Sequence, residues 1–176
     1  YQSLDWHIWW AHKNSEKDGH LNSLVLLNSL RENPTYKTEP RYELVVVNEP
    51  LHWNDISLRT VGGAARKCQG AIITTSHHLH FLRPVVGESD ADKEKRRSSF
   101  FLATQMLAMH ELGHVFGLFP GTSYSQNPTD QELAEAHCPS ECVMSWQEDA
   151  ELDRKIKDQP FCQSCLEKLK QFFIAP

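Results

Sequence analysis

Several features are missing from this sequence, and each absence excludes a class of protein. No apolar run approaches the ~18 residues that a membrane-spanning helix needs. No basic block suits nucleic acid, because 18 Lys and Arg face 23 Asp and Glu, for a net charge of −5. No secretion signal, internal repeat or low-complexity segment is visible. We therefore expect a globular protein without a membrane or nucleic-acid partner.

Cysteine is scarce and unevenly placed. Cys68 stands alone, whereas Cys138 with Cys142 and Cys162 with Cys165 form two close pairs. Two such pairs separated by a loop are typical of a zinc ion held by four thiolates. Disulfides and redox chemistry are the alternatives, but an odd cysteine count without a secretion signal argues against a disulfide framework. The pattern predicts a structural zinc site and, with the missing signal, a cytoplasmic protein.

A hydrolytic metal motif lies at His110-Glu111-Leu112-Gly113-His114. Residues four apart on a helix lie nearly one above the other, so both imidazoles can face one metal ion while Glu111 reaches a water on it. Apolar neighbours on both sides disfavour the alternative, a chance match on a solvated helix. The motif therefore predicts two ligands and a general base of a hydrolytic zinc site.

The segment before the motif supports a helix there. Phe100–Met109 contains neither Pro nor Gly and is dense in helix-forming and apolar residues. Ser98 and Ser99 are candidate N-caps, and Gly117 can adopt the left-handed conformation that often ends a helix. We expect the two histidines on the last turns of a buried helix.

A hydrolytic zinc ion needs a third protein ligand and one open position. His137 is the preferred candidate because it directly precedes Cys138, whose own zinc site would fix its position. Glu132 and Glu135 are the alternatives, since residues 130–136 look helical and a helical Glu completes the zinc site of another class of peptidase. The residue pattern alone leaves this choice open.

His77, His78 and His80 form a second histidine group. At a strand end they would alternate between faces, and no fourth ligand of recognisable spacing accompanies them. A solvated or substrate-side role is the preferred interpretation, and metal binding is the alternative.

The remaining pattern predicts an α+β fold, in which a twisted mixed sheet carries a backing helix and an active-site helix. Trp6, Trp9 and Trp10 suggest an aromatic strand packed in the core, with an exposed ligand platform as the alternative. The other expected elements are a helix at 21–30, an interior strand at 41–48, strands at 58–61 and 71–76, and a polar loop at 84–97.

The spacing of these motifs resembles the archaemetzincin family of the metzincin clan. The similar features are His110-Glu111-x-x-His114-x-x-Gly117, His137-Cys138, Cys142-Val143-Met144, a gap of seventeen residues, and Cys162-x-x-Cys165. In that family the third histidine usually follows the glycine by three residues, whereas Pro120 stands there in this chain. An insertion of about seventeen residues within 118–136 would account for the difference.

The resemblance implies a role for each residue. His110, His114 and His137 would hold a catalytic zinc ion, with Glu111 as the catalytic acid–base residue. Cys138, Cys142, Cys162 and Cys165 would hold a second zinc ion. Met144 would lie in a Met-turn beneath the histidines, and Gly117 would redirect the chain after the helix.

The resulting expectation is a metzincin-like zinc metallopeptidase. Residues 1–117 would form an upper subdomain, and residues 118–176 would form a small lower subdomain stabilised by the four-cysteine zinc site. A peptide or protein substrate would lie extended along an edge strand within 71–76, and the chain would act as a monomer. A non-catalytic zinc-stabilised peptide-binding module, a hydrolase of other bonds, and a peptidase using Glu132 or Glu135 as ligand are the alternatives.

Overall fold

The computed structural model describes residues 4–15, 17–32, 41–53, 60–119, 129–145 and 159–174, which form a mixed α+β protein, as predicted. The helices are α1 (Leu4–Lys13), α2 (Ser23–Glu32), α3 (Asp90–Val115), α4 (Asp130–Glu135) and α5 (Gln163–Ile174), with a 3-10 helix at Ser76–Leu82. The strands are β1 (Leu21–Asn22), β2 (Glu43–Val47), β3 (Leu51–His52), β4 (Thr60–Val61), β5 (Gly63–Arg66) and β6 (Gly70–Thr74).

The described strands form two small mixed sheets. In the order β1-β3-β4, β3 pairs parallel with β1 and antiparallel with β4. In the order β2-β6-β5, β6 pairs parallel with β2 and antiparallel with β5. The expectation that residues 71–76 form an edge strand is therefore wrong, because β6 lies between two partners. Within the described sheet, β2 and β5 occupy the two edges.

The N-terminal aromatic segment is a helix, so the predicted strand is wrong. Trp6 and Trp10 lie one turn apart on α1, and their rings stack with centroids 5.7 Å apart and planes 4° apart. His7 and Ala11 are buried, whereas Trp9 is 54% exposed. The strand preference of tryptophan is overridden here because the buried residues recur at helical spacing.

The predicted first helix and second strand are present with shifted boundaries. Leu21 and Asn22 form β1, and α2 follows, with the Asn22 side chain accepting a hydrogen bond from the backbone N–H of Val25 at 3.1 Å. Burial along β2 alternates, with Leu44 and Val46 exposed. It is therefore packed on one face only, and it lies at the end of the order β2-β6-β5, so the interior strand expected at 41–48 is wrong. The core beneath these elements contains Ala11, Leu21, Leu26, Leu27, Val45, Val47, Leu51, Ala64 and Ile72.

Helix α3 is longer than the sequence predicted. It begins at Asp90, and the side chain of Ser89 caps it by accepting a hydrogen bond from the backbone N–H of Asp92 at 3.2 Å. Ser98 and Ser99 consequently lie inside the helix and are not N-caps. The first turns were mistaken for a polar loop because they are exposed and charged, and an exposed helix need not carry an apolar stripe there.

The end of α3 is a Schellman motif, and it confirms the predicted left-handed Gly117. The φ angle of Gly117 is +82°, and its N–H donates to the carbonyl of His114 at 3.0 Å. The N–H of Leu118 donates to the carbonyl of Gly113 at 2.9 Å. These two bonds satisfy carbonyls that the helix end would otherwise leave without partners, and they turn the chain sharply after the second histidine.

The C-terminal part of the chain packs around a second core. This core contains Met106, Leu118, Cys138, Cys142, Val143, Met144 and Cys165. Helix α5 places Phe172 and Phe173 against Phe116, with ring centroids 5.7 and 5.0 Å apart, and so reaches the end of α3. Across the described residues, no helix is both long and apolar enough to cross a membrane.

Candidate metal centres

Three histidine side chains converge below the end of α3. His110 and His114 project from its last two turns, and His137 joins them from the segment that follows α4. One ring nitrogen of each lies within 4.8 Å of the others. The rings of His110 and His114 are each centred 5.1 Å from that of His137. The helical spacing of the first two therefore brings them to the same point, as the motif predicted.

The hydrogen bonds of two histidines fix which nitrogen faces the centre of the group. His110 Nδ1 lies 2.7 Å from the carbonyl oxygen of Val143, and His114 Nδ1 lies 3.0 Å from the carbonyl oxygens of Leu118 and Phe119. A carbonyl only accepts, so each Nδ1 carries the hydrogen and donates it. In the neutral rings, both Nε2 atoms then present lone pairs to each other, 3.2 Å apart. Such an arrangement is unfavourable unless a cation lies between the lone pairs.

Electrostatics also favour neutral rings. Burial, with the nearby histidines, lowers the pKa of His110 to about 3. Burial and His137 lower the pKa of His114 to about 4, although its carbonyl partners oppose the shift. Neutral imidazole is the form that ligates metal. The donor set, its protonation and its carbonyl partners therefore fit a zinc ion held by three histidines.

Glu111 lies against the edge strand β5. Its side chain is only 7% exposed, and burial raises the pKa of its carboxyl to about 8. Gly63 makes this position possible, since a Cβ there would lie 2.6 Å from Glu111 Cγ and 2.7 Å from Glu111 Oε1. A carboxyl with a raised pKa, next to three candidate metal ligands, is a candidate for acid–base chemistry.

Met144 lies beneath the motif helix and is completely buried. Its sulfur occupies the space that a side chain on Gly113 would need. The backbone carbonyl of Met144 accepts a hydrogen bond from the N–H of Cys138 at 2.8 Å, directly after His137. Met144 therefore contacts the helix that carries two of the histidines and is bonded to the segment that carries the third.

The four paired cysteines form a second group. Their sulfur atoms all lie within 4.8 Å of one another; Cys138 lies 3.7 Å from Cys162, and Cys142 lies 3.9 Å from Cys165. These separations are too long for disulfides, whose S–S bond is ~2.05 Å. Zn–S bonds of ~2.3 Å in a tetrahedron would separate the sulfurs by ~3.8 Å. The cluster therefore fits a zinc ion.

Three thiols of this cluster differ in acidity. Burial raises the pKa values of Cys142 and Cys165. Burial also acts on Cys162, but hydrogen bonds with the Cys165 backbone and neighbouring thiols lower its pKa to about 7. Cys162 thus deprotonates more readily than Cys142 or Cys165. Since zinc binds thiolates, metal binding would displace the protons of Cys142 and Cys165.

Val143 connects the two groups. Its carbonyl oxygen accepts from His110, and its N–H donates to the carbonyl of Pro160 at 2.7 Å, two residues before Cys162. His137 and Cys138 are also adjacent in the chain. The position of the cysteine group therefore affects the orientation of His110 through these backbone hydrogen bonds.

The other candidate ligands lie elsewhere. Glu132 accepts hydrogen bonds from the backbone and hydroxyl of Thr129, and Glu135 accepts one from Gln131, so both serve local contacts at α4. Neither belongs to a metal-ligating group among the described residues. Cys68 is exposed at a turn with a φ angle of +57°. The part of the insertion at 120–128, including Pro120, lies outside the described residues.

The second histidine group lies on the 3-10 helix, not at a strand end. His78 is buried, whereas His80 is exposed. The His80 ring packs at a tilt of 37° against Phe81, with centroids 4.0 Å apart, and its Nδ1 lies 3.0 Å from the carbonyl oxygen of His77. Across the described residues, none of the three belongs to a group of metal-ligating side chains. The metal-binding alternative therefore receives no support.

Sequence reasoning missed the contribution of backbone groups and of two glycines. The carbonyls of Val143, Leu118 and Phe119 orient the histidines, and no side-chain motif marks such atoms. Gly63 belongs to no side-chain motif. Gly113 offered a usable signal, because a glycine in a helix interior is destabilising and usually has a packing reason.

Comparison with known proteins gives limited similarity. No family model matches the sequence, and no solved structure matches it. An archaemetzincin of Pyrococcus horikoshii is 39% identical over 64 residues, which are 36% of this chain and 24% of the relative. Archaemetzincins of Pyrococcus furiosus and Pyrococcus abyssi are each 38% identical over 65 residues, or 36% of this chain, covering 24% and 25% of the relatives. The chain is thus similar to archaemetzincins over about a third of its length, and the similarity spans about a quarter of theirs.

Proposed function

We propose that this chain is a zinc-dependent peptidase with a metzincin-like fold that hydrolyses peptide bonds. The observation that carries the proposal is the convergence of His110, His114 and His137 with the buried carboxyl of Glu111 on the same helix. Two of the three rings direct unprotonated Nε2 atoms at one point, as zinc ligands must. The partial similarity to archaemetzincins supports the same activity.

The residues divide the chemistry between them. The three histidines would hold a zinc ion, which supplies Lewis-acid activation of a water molecule and of the scissile carbonyl. Glu111 would take the proton from the attacking water and pass it to the leaving amine. Val143, Leu118 and Phe119 would keep the rings oriented through their carbonyls.

A second zinc ion would be structural. The four thiols would hold it, and Met144 would support the histidines from below without ligating metal. In this arrangement residues 1–117 form the upper subdomain and residues 118–176 the lower one, with the site between them. The free thiols also favour a reducing compartment such as the cytoplasm.

The substrate would bind as an extended peptide along β5. This strand is one of the two edges of its described sheet, and it is the edge that contacts Glu111 through Gly63. Backbone hydrogen bonds to an edge strand hold a peptide with little dependence on its sequence. A peptide paired with β5 would therefore pass close to the proposed base.

The test is replacement of Glu111 by Gln, which removes the base but keeps the size of the side chain. Peptide cleavage by pure protein should fall by about 10²- to 10⁴-fold, while zinc content stays at the wild-type value. Glu132→Gln is the matched control and should retain full activity. Unchanged cleavage in Glu111→Gln would refute the mechanism. A wild type with full zinc content that cleaves nothing in a peptide library would favour the non-catalytic binding module instead.

A further inference from the structure

Strand β5 and helix α3 touch where Gly63 meets Glu111. Gly63 pairs with Ile73 across the sheet, so its backbone position is set by β6. Glu111 is almost fully buried beneath it. The Glu111 side chain is thus confined between α3 and β5, and the backbone of residue 63 lies directly against it.

The space at residue 63 is too small for any side chain. A Cβ there would lie 2.6 Å from Glu111 Cγ, 2.7 Å from its Oε1 and 2.8 Å from its Cδ. Real Cβ atoms do not come so close to other heavy atoms, so Glu111 would have to move. The neighbouring Gly62 differs, since a Cβ there would meet only the terminal methyl groups of Leu107 at 3.4 Å.

Backbone conformation does not explain the glycine at 63. The glycines with positive φ in the described residues are Gly19, Gly87 and Gly117, so neither Gly62 nor Gly63 requires a left-handed residue. Alanine is therefore compatible with the backbone at both positions. The difference between them is the contact with Glu111.

We propose that Gly63 is a positioning residue for catalysis, whose missing side chain allows the Glu111 carboxyl to take its working position against β5. The proposal rests on the proposed peptidase function. In it, β5 both pairs with the substrate and positions the Glu111 carboxyl. A proton-transfer group must lie within hydrogen-bond reach of its partner, and a displacement of ~1 Å can cost about 10²-fold in rate. Gly63 acts through Glu111 and takes no part in the chemistry itself.

The experiment compares Gly63→Ala with Gly62→Ala in pure protein. In Gly63→Ala, kcat should fall by about 10- to 100-fold, while KM stays within about twofold and zinc content is unchanged. Gly62→Ala adds the same methyl group one residue away and should keep both constants within about twofold. A kcat of Gly63→Ala within twofold of wild type, or an equal loss in Gly62→Ala, would overturn the proposal.

Thermal unfolding of the zinc-loaded protein tests the contact without any turnover. Gly63→Ala should lower Tm by about 4 °C or more, but it should cost little in a Glu111→Ala background, where the clashing atoms are gone. If Gly63→Ala fails to fold but Gly63→Ala combined with Glu111→Ala does fold, that result also supports the contact. Equal destabilisation in both backgrounds would overturn it. The comparison of the two backgrounds measures the contact between residues 63 and 111 whether or not the protein cleaves peptides. The peptidase proposal is tested separately, by peptide cleavage with the wild-type protein.

Discussion

Met144 fills the space beside Gly113 in the motif helix. A Cβ on residue 113 would overlap the Met144 sulfur and would lie 3.0 Å from its terminal methyl group. Leu118 Cδ1 would be 3.3 Å away. The glycine between the two motif histidines therefore allows the helix to lie directly on the methionine.

Replacing Gly113 by Ala should destabilise the protein by about 1–3 kcal/mol, because it overpacks this contact. The sign is diagnostic, since Ala for Gly in a helix interior otherwise stabilises by about 1 kcal/mol. Denaturant unfolding measures the change. In a Met144→Ala background, which opens space beside the helix, Gly113→Ala should cost much less, whereas a stabilised Gly113→Ala single variant would contradict the packing described.

His137→Ala should lower zinc content from about two ions per chain to about one, because it removes one of three ligands from the histidine group. Elemental analysis of wild type and variant measures this. Glu132→Ala and Glu135→Ala are the controls and should keep the wild-type content. If His137→Ala kept both ions and either glutamate variant lost one, the third ligand would be that glutamate.

Cys165→Ser should remove the other zinc ion and lower Tm, since the binding energy of a structural zinc is folding energy. Cys165 is fully buried in the second core, so the variant should affect folding as well as metal content. Cys68→Ser is the matched control, because Cys68 is exposed and outside both groups. Equal zinc content in the two variants would show that the four-sulfur cluster binds no metal.

Lowering the pH should destabilise the chain through His7. Burial lowers the pKa of His7, although Glu43 opposes the shift, and its Nδ1 lies 2.5 Å from Ser29 Oγ. Above ~6.5 both states hold the ring neutral, but below that value the unfolded state binds a proton that the folded state resists. The free energy of unfolding therefore falls as pH drops from ~6.5 towards the lower folded pKa.

Urea unfolding at pH 7.5 and 5.5 measures this effect. His7→Gln should reduce the loss of stability between the two pH values, since glutamine does not titrate. His80→Gln removes an exposed histidine and should leave the loss close to that of wild type. An identical pH dependence in wild type and His7→Gln would show that His7 is not responsible.

The sequence predicted those parts of the site in which residues close in the chain are also close in space. The spacing of His110 and His114 predicts a shared face because a helix repeats every 3.6 residues. Gly117 predicts the helix end because its missing side chain permits positive φ. The two cysteines of each pair are near each other in the chain. A single loop between the pairs is therefore enough to bring all four together.

Prediction failed where packing outweighed local preference. The tryptophans of α1 favour a strand by propensity, yet burial of His7 and Ala11 at helical spacing selects a helix. Helix α3 begins ten residues before Phe100 because a Ser89 cap and acidic first-turn residues stabilise turns that carry no apolar stripe. The centre of a sheet was mistaken for its edge because strand order depends on long-range pairing.

Residue identity and spacing predicted the chemical groups of this protein: two histidines and a carboxyl on one helix, and two pairs of thiols. Which residues meet depends on the tertiary structure. The fold brings His137 rather than Glu132 or Glu135 to the other two histidines, places β5 rather than β6 at an edge, and sets Gly63 against Glu111. These contacts join segments distant in the chain, and their geometry depends on backbone atoms and missing side chains that no spacing pattern records.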